Sequence, residues 1–169
     1  MTVSSDSLEM AIKFEQEGHD YYEEHASETE NPFVKSVLEK LADRELDHIK
    51  VIKEIVEGKS VEDVNLVEMD LEEETRKTFE EFTKSEQEGW KDEKVTVYDH
   101  AIELEEKLAK LYKNMAEQTD DEEEKEFFRA LMKEEDKHYD TLYNVFYYLT
   151  DHDRWMAEAE GETWGWMNT

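Results

Sequence analysis

At 169 residues, with 37% hydrophobic and 40% charged residues and a single proline, the chain is sized for one domain with a real core and carries too few turn residues for an all-β protein. No apolar run approaches the roughly 20 residues of a membrane span, and a net charge of −28 excludes nucleic acid as a partner, because phosphate contacts need clustered Lys and Arg. Cysteine is absent, which excludes disulfides, iron–sulfur clusters, thiolate zinc sites and thiol nucleophiles; any metal must be held by carboxylate and imidazole, a set that suits iron and manganese.

The first helix is expected over 6–28, opened by Asp6 with Glu9 three residues on, in the pattern of a capping box. A second is expected over 32–57, with Asn31 as N-cap, Pro32 in the first helical position and Gly58 just past the end. Its apolar residues Val34, Val37, Leu38, Leu41, Ile49, Ile52 and Ile55 recur at threes and fours. A long connection over 59–96 follows, holding a shorter helix from Leu71 to about Gln87 with Phe79 and Phe82. A third long helix is expected over 97–118 and a fourth over 121–149. The short links near 28–31 and 119 imply two antiparallel hairpins, and the middle segment a crossover between them. The fold expected is therefore an all-α four-helix bundle over 1–150, followed by a tail over 151–169. A short C-terminal helical piece is expected at 153–160, ahead of Trp164 and Trp166. The N-terminal MTVSSDSLEM shows neither a basic region nor an apolar stretch, so the expected location is the cytoplasm.

The chain also repeats itself. An offset of 90 residues pairs Ala11 with Ala101, Ile12 with Ile102, Glu15 with Glu105, Tyr22 with Tyr112, Ala26 with Ala116, Lys35 with Lys125, Leu41 with Leu131, Glu45 with Glu135 and His48 with His138. Two copies of one hairpin imply a pseudo-two-fold bundle. In each copy a Glu is followed by a Tyr two turns along the same helix line, and a Glu-x-x-His lies on the next helix with both side chains on one face. Together the copies supply four carboxylates and two imidazoles, the ligand inventory of a ferritin-like di-iron or di-manganese centre: Glu15, Glu45, His48, Glu105, Glu135 and His138. One Glu-x-x-His among 48 acidic residues would read equally well as a surface pair. Two, in matched register on stripes that also carry core residues, would bury four carboxylates together, and two divalent cations offset that cost. Tyr22 and Tyr112 are placed either to hydrogen-bond a ligating carboxylate or simply to pack. His19, His25, His100 and His152 lack partners at this spacing and are expected outside the centre, with His19 close to it. Met10, Met115, Met132 and Met156 are expected to pack, and Trp155, Trp164 and Trp166 either to cover the bundle or to contact a second subunit.

The segments KFEQEGHDYY, ADRELDH, IELEEKLAKLY and MKEEDKH resemble the rubrerythrin branch of the ferritin-like superfamily. The resemblance implies two iron ions, manganese or a mixed pair being alternatives, held by the six residues above. Glu15 and Glu105 would be terminal, Glu45 and Glu135 bridging, and Tyr22 and Tyr112 would lie behind them. It implies an oxidoreductase that reduces hydrogen peroxide or dioxygen; the tail tryptophans, where they meet a second subunit, would make the chain a homodimer. Two features depart from the family: with no cysteine there is no rubredoxin domain, so electrons must come from a separate, rubredoxin-like donor. Leu108 also stands where rubrerythrins carry a further carboxylate. Iron binding, ferroxidase activity or iron storage is the alternative function.

Overall fold

The computed structural model describes residues 3–90, 98–153 and 163–168. Four long helices dominate: α1 (Ser5–Glu28), α2 (Pro32–Val56), α5 (Tyr98–Gln118) and α6 (Glu122–Thr150), with α3 (Leu71–Glu80) and α4 (Lys84–Gly89) in the crossover. Helix α1 packs along α2 and α5 along α6, and the two hairpins meet through α1 and α5. The fold is the expected all-α, ferritin-like bundle. No helix among the described residues is long and apolar enough to cross a membrane.

The helix ends repeat with the sequence. The Asn31 side chain accepts from the backbone N–H groups of Phe33 and Val34 at 2.9 and 3.1 Å, and Asp121, 90 residues later, accepts from Glu123 and Glu124 at the same two distances. Behind each cap a threonine hydroxyl receives the cap's own N–H, Thr29 for Asn31 and Thr119 for Asp121. Helix α2 closes on Gly58 at φ 98, a left-handed conformation that glycine adopts without steric cost. The bonds Gly58 N to Ile55 O and Lys59 N to Glu54 O, both 3.0 Å, complete a Schellman motif.

Two local expectations are corrected. Helix α1 is capped by Ser4 rather than Asp6: the Ser4 hydroxyl takes the Ser7 N–H at 3.2 Å, so the helix is under way before Asp6. The single helix expected over 71–87 is two. Thr83 and Glu86 form a reciprocal capping box that starts α4, and the Gln87 amide donates to the carbonyls of Phe79 and Phe82 at the end of α3. The helical piece expected at 153–160 lies, beyond its first residue, outside the described residues, as do Trp155 and Met156; Thr163–Asn168 is a 3₁₀ turn.

The core is in two apolar parts. One gathers Tyr22, Phe33, Leu38, Leu41, Ala101, Leu142 and Phe146 with Phe79 of the crossover. The other gathers Ala11, Ile52, Leu108, Tyr112, Met115, Phe128 and Leu131. The 90-residue repeat exchanges them: Tyr22, Ala26 and Leu41 lie in the first, and Tyr112, Ala116 and Leu131 in the second. Trp164 and Met167 pack into the first, and Trp166 donates to Glu72 at 3.0 Å, so these two tail tryptophans cover the chain's own core. Met115 is buried as expected, whereas Met10 is half exposed.

Candidate metal centre

Each pair of hairpin helices turns a polar row toward the bundle axis. All six candidate ligands, Glu15, Glu45, His48, Glu105, Glu135 and His138, are at most 1% exposed. Their ligand atoms form two groups, each with all members within 4.8 Å of one another: Glu15, Glu45, His48 and Glu135 in one, and Glu45, Glu105, Glu135 and His138 in the other. Glu45 and Glu135 belong to both, whereas Glu15 and Glu105 each belong to one. The pseudo-two-fold is legible in the distances. Nδ1 of His48 lies 2.8 Å from Glu135 and 3.4 Å from Glu15, while Nδ1 of His138 lies 2.9 Å from Glu45 and 3.4 Å from Glu105. The imidazole planes are parallel within 3°, with centroids 5.4 Å apart.

The tyrosines cross between hairpins. Tyr22 of α1 donates to Glu105 of α5, and Tyr112 of α5 donates to Glu15 of α1. Each hydroxyl thus orients the carboxylate that belongs to one group alone. The sequence pointed to both residues but not to this exchange, which depends on how the hairpins dock.

The electrostatics of so many buried acids are severe. Burial, followed by Glu15, Glu105 and Glu135, holds the Glu45 carboxyl well above its ordinary range. Burial also raises Glu105, His138 pulls it back, and the balance stands at about 8. Burial disfavours the charged form of His48, but Glu15 and Glu135 outweigh it and push the imidazole up to about 10. Burial likewise acts to raise Glu135, yet its two histidines prevail and hold it well below the usual carboxylate range. Burial and the neighbouring carboxylates keep both tyrosines protonated, as donors must be.

The fit to divalent cations rests on atoms left over. Glu15 Oε2, Glu45 Oε2, Glu105 Oε2, both oxygens of Glu135 and Nδ1 of His48 are buried without a hydrogen-bond partner. The 2.8 Å approach of His48 to Glu135 lacks hydrogen-bond geometry. Leaving several such acceptors orphaned in one place is expensive. Cations placed among hard oxygen and imidazole donors satisfy them together, and the donor set suits iron or manganese. Four carboxylates and two neutral imidazoles balance two divalent charges.

Two residues near the centre were not singled out by the sequence. A Cβ built on Gly18 would lie 3.4 Å from Oε2 of Glu45, in ordinary contact, so this mid-helix position abuts a central carboxylate that a larger side chain would press on. A glycine inside a strong helix costs about 0.5–1 kcal/mol, which was the available signal. The other is Glu134, 2% exposed, which comes within 4.8 Å of a ring nitrogen of both His48 and His138. The remaining histidines stay outside both groups; His19 faces the Ala42 carbonyl at 3.0 Å. Leu108 is buried in apolar packing.

The Rubrerythrin family model matches residues 6–145. No curated protein and no solved structure matches the chain. Since that match covers most of the chain, runs into all four long helices and takes in both polar groups, the chain belongs to the rubrerythrin family.

Proposed function

We propose that the chain is a di-metal carboxylate oxidoreductase that reduces hydrogen peroxide or dioxygen with iron or manganese. Its electrons come from a separate, rubredoxin-like protein. The observation that carries this reading is the pair of buried ligand groups sharing Glu45 and Glu135. In this reading Glu15 and His48 would hold one metal, Glu105 and His138 the other, and Glu45 and Glu135 would serve both. A redox-active metal pair bound there would supply the two electrons that, with two protons, the reduction of peroxide to two waters requires. The chain's own residues set the conditions. Tyr112 and Tyr22 fix Glu15 and Glu105, while the apolar plugs on either side keep bulk water from the centre.

The test is to load the protein with ferrous iron without oxygen, add peroxide, and follow the optical spectrum and peroxide loss. Oxidation of the iron with matching loss of peroxide is expected; an unchanged reduced form would sink the enzymatic reading. A size measurement separates storage: a dimer is expected, and a large hollow cage would favour iron storage.

A further inference from the structure

An imidazole that ligates through Nδ1 carries its proton on Nε2, and a buried N–H needs an acceptor. Here the Nδ1 atoms of His48 and His138 face the four central carboxylates, and both Nε2 atoms are buried without a partner. Glu134 is in neither central group, yet its carboxylate and one nitrogen of each imidazole lie within 4.8 Å of one another. Because each Nδ1 faces the central carboxylates, Nε2 is the nitrogen that each ring has left for Glu134, and the two rings are parallel within 3°.

The sequence repeat fails at this point. The counterpart of Glu134 is Arg44 and that of Lys137 is Asp47, so the same i,i+3 ion pair occurs in both halves with its charges reversed. Arg44 is also buried, but a guanidinium has only donors and cannot receive an imidazole N–H. Among the described residues, that leaves Glu134 on α6 as the carboxylate grouped with both imidazoles outside the four central ones. Lys137 anchors it at 2.6 Å and also donates to the Met69 carbonyl at 3.2 Å, beside an open cavity of about 510 Å³. That ammonium also argues against a third cation bound between Glu134 and the two rings.

We propose that Glu134 is a positioning residue that accepts Nε2–H from both His48 and His138, fixing each ring with Nδ1 toward the centre. This rests on the metal-centre reading. The test loads wild-type protein, Glu134→Gln, Glu134→Ala and Arg44→Lys with zinc. It measures affinity against a competing chelator and follows the imidazole N–H signals by nitrogen-15 NMR. The wild type should bind two zinc ions and show two protected imidazole N–H signals. In Glu134→Ala, zinc affinity should fall about 10–100-fold, with rapid exchange of both signals. Glu134→Gln, which keeps the shape and carries the test if the alanine variant does not fold, should shift both signals and weaken binding. Arg44→Lys should leave both signals in place. If Glu134→Gln binds zinc within about twofold of wild type with both signals unmoved, this inference is overturned alone. A wild type that binds no zinc overturns the metal-centre reading and this inference with it.

Discussion

Glu45 belongs to both ligand groups and Glu15 to one, so Glu45→Gln and Glu15→Gln should differ in kind. Metal held at about 100 times its dissociation constant stabilises a folded protein by about 2.7 kcal/mol per site. Two sites give about 5 kcal/mol, which for a chain of this size raises the melting temperature by about 11–22 °C. Suppose losing a ligand weakens a site about 100-fold; that site then contributes only about 0.4 kcal/mol at the same metal concentration. Glu45→Gln weakens both sites and should keep a shift of about 2–3 °C, whereas Glu15→Gln weakens one and should keep about 6–12 °C. The metal-free proteins should order differently. Glu45 is buried among three other carboxylates, so a neutral glutamine should leave the metal-free melting temperature equal to or above that of wild type. Thermal melts followed by circular dichroism, with and without manganese, read all of these values. Equal residual shifts in the two variants would refute the shared role of Glu45, and a metal-free Glu45→Gln much less stable than wild type would refute the electrostatic argument.

The metal-free protein should lose stability as pH rises. Glu105 stands at about 8 against an ordinary 4.5, and His48 at about 10 against 6.5. Both folded values are raised, so each contribution is present below the unfolded value and disappears as pH climbs through the folded one. Glu135 is shifted the other way, and its contribution is lost only on acidification. Melting temperature without metal should therefore fall between about pH 4.5 and about 10, through Glu105 first and His48 above pH 6.5, while the shift caused by metal grows, because ligation needs deprotonated groups; a flat metal-free profile would contradict this. Tyr112→Phe should weaken metal on the Glu15 side and Tyr22→Phe on the Glu105 side, by about tenfold each with both metals retained, as read by stepwise titration. Complete loss of metal in either would make the tyrosine more than an orienting donor. Gly18→Ala should keep two metals and gain about 0.5–1 kcal/mol of metal-free stability, since its Cβ meets Glu45 only at contact distance. Gly18→Leu, which copies its repeat counterpart Leu108, should press on Glu45 and lower affinity; unchanged affinity there would show that Gly18 is incidental.

The parts of the centre visible in the sequence were those that the repeat marks twice. Glu15, Glu45 and His48 gain their meaning from Glu105, Glu135 and His138 at the same offset, and the structure brings all six together. The long helices were similarly plain where punctuation is strong, at Asn31, Pro32, Gly58 and Asp121. A repeat states which residues are equivalent but not how the copies dock, so the crossed Tyr22–Glu105 and Tyr112–Glu15 bonds were not legible. It is also blind where equivalence breaks. Glu134 stands opposite Arg44 and Gly18 opposite Leu108, and in a chain this acidic nothing local distinguishes Glu134 from its neighbours. The division of the crossover helix had a signal, Thr83 with Glu86, which was outweighed by apolar periodicity through Phe79 and Phe82.

Six buried residues are grouped as two metals would need them. Metal analysis of protein purified without oxygen or chelator, repeated on Glu45→Ala with Glu135→Ala, tests most directly whether they hold two. Two iron or manganese ions per wild-type chain are expected and none in the double variant, with helical circular dichroism retained in both. A folded wild-type protein that carries no metal and takes up none from an excess of ferrous or manganous ion would contradict it.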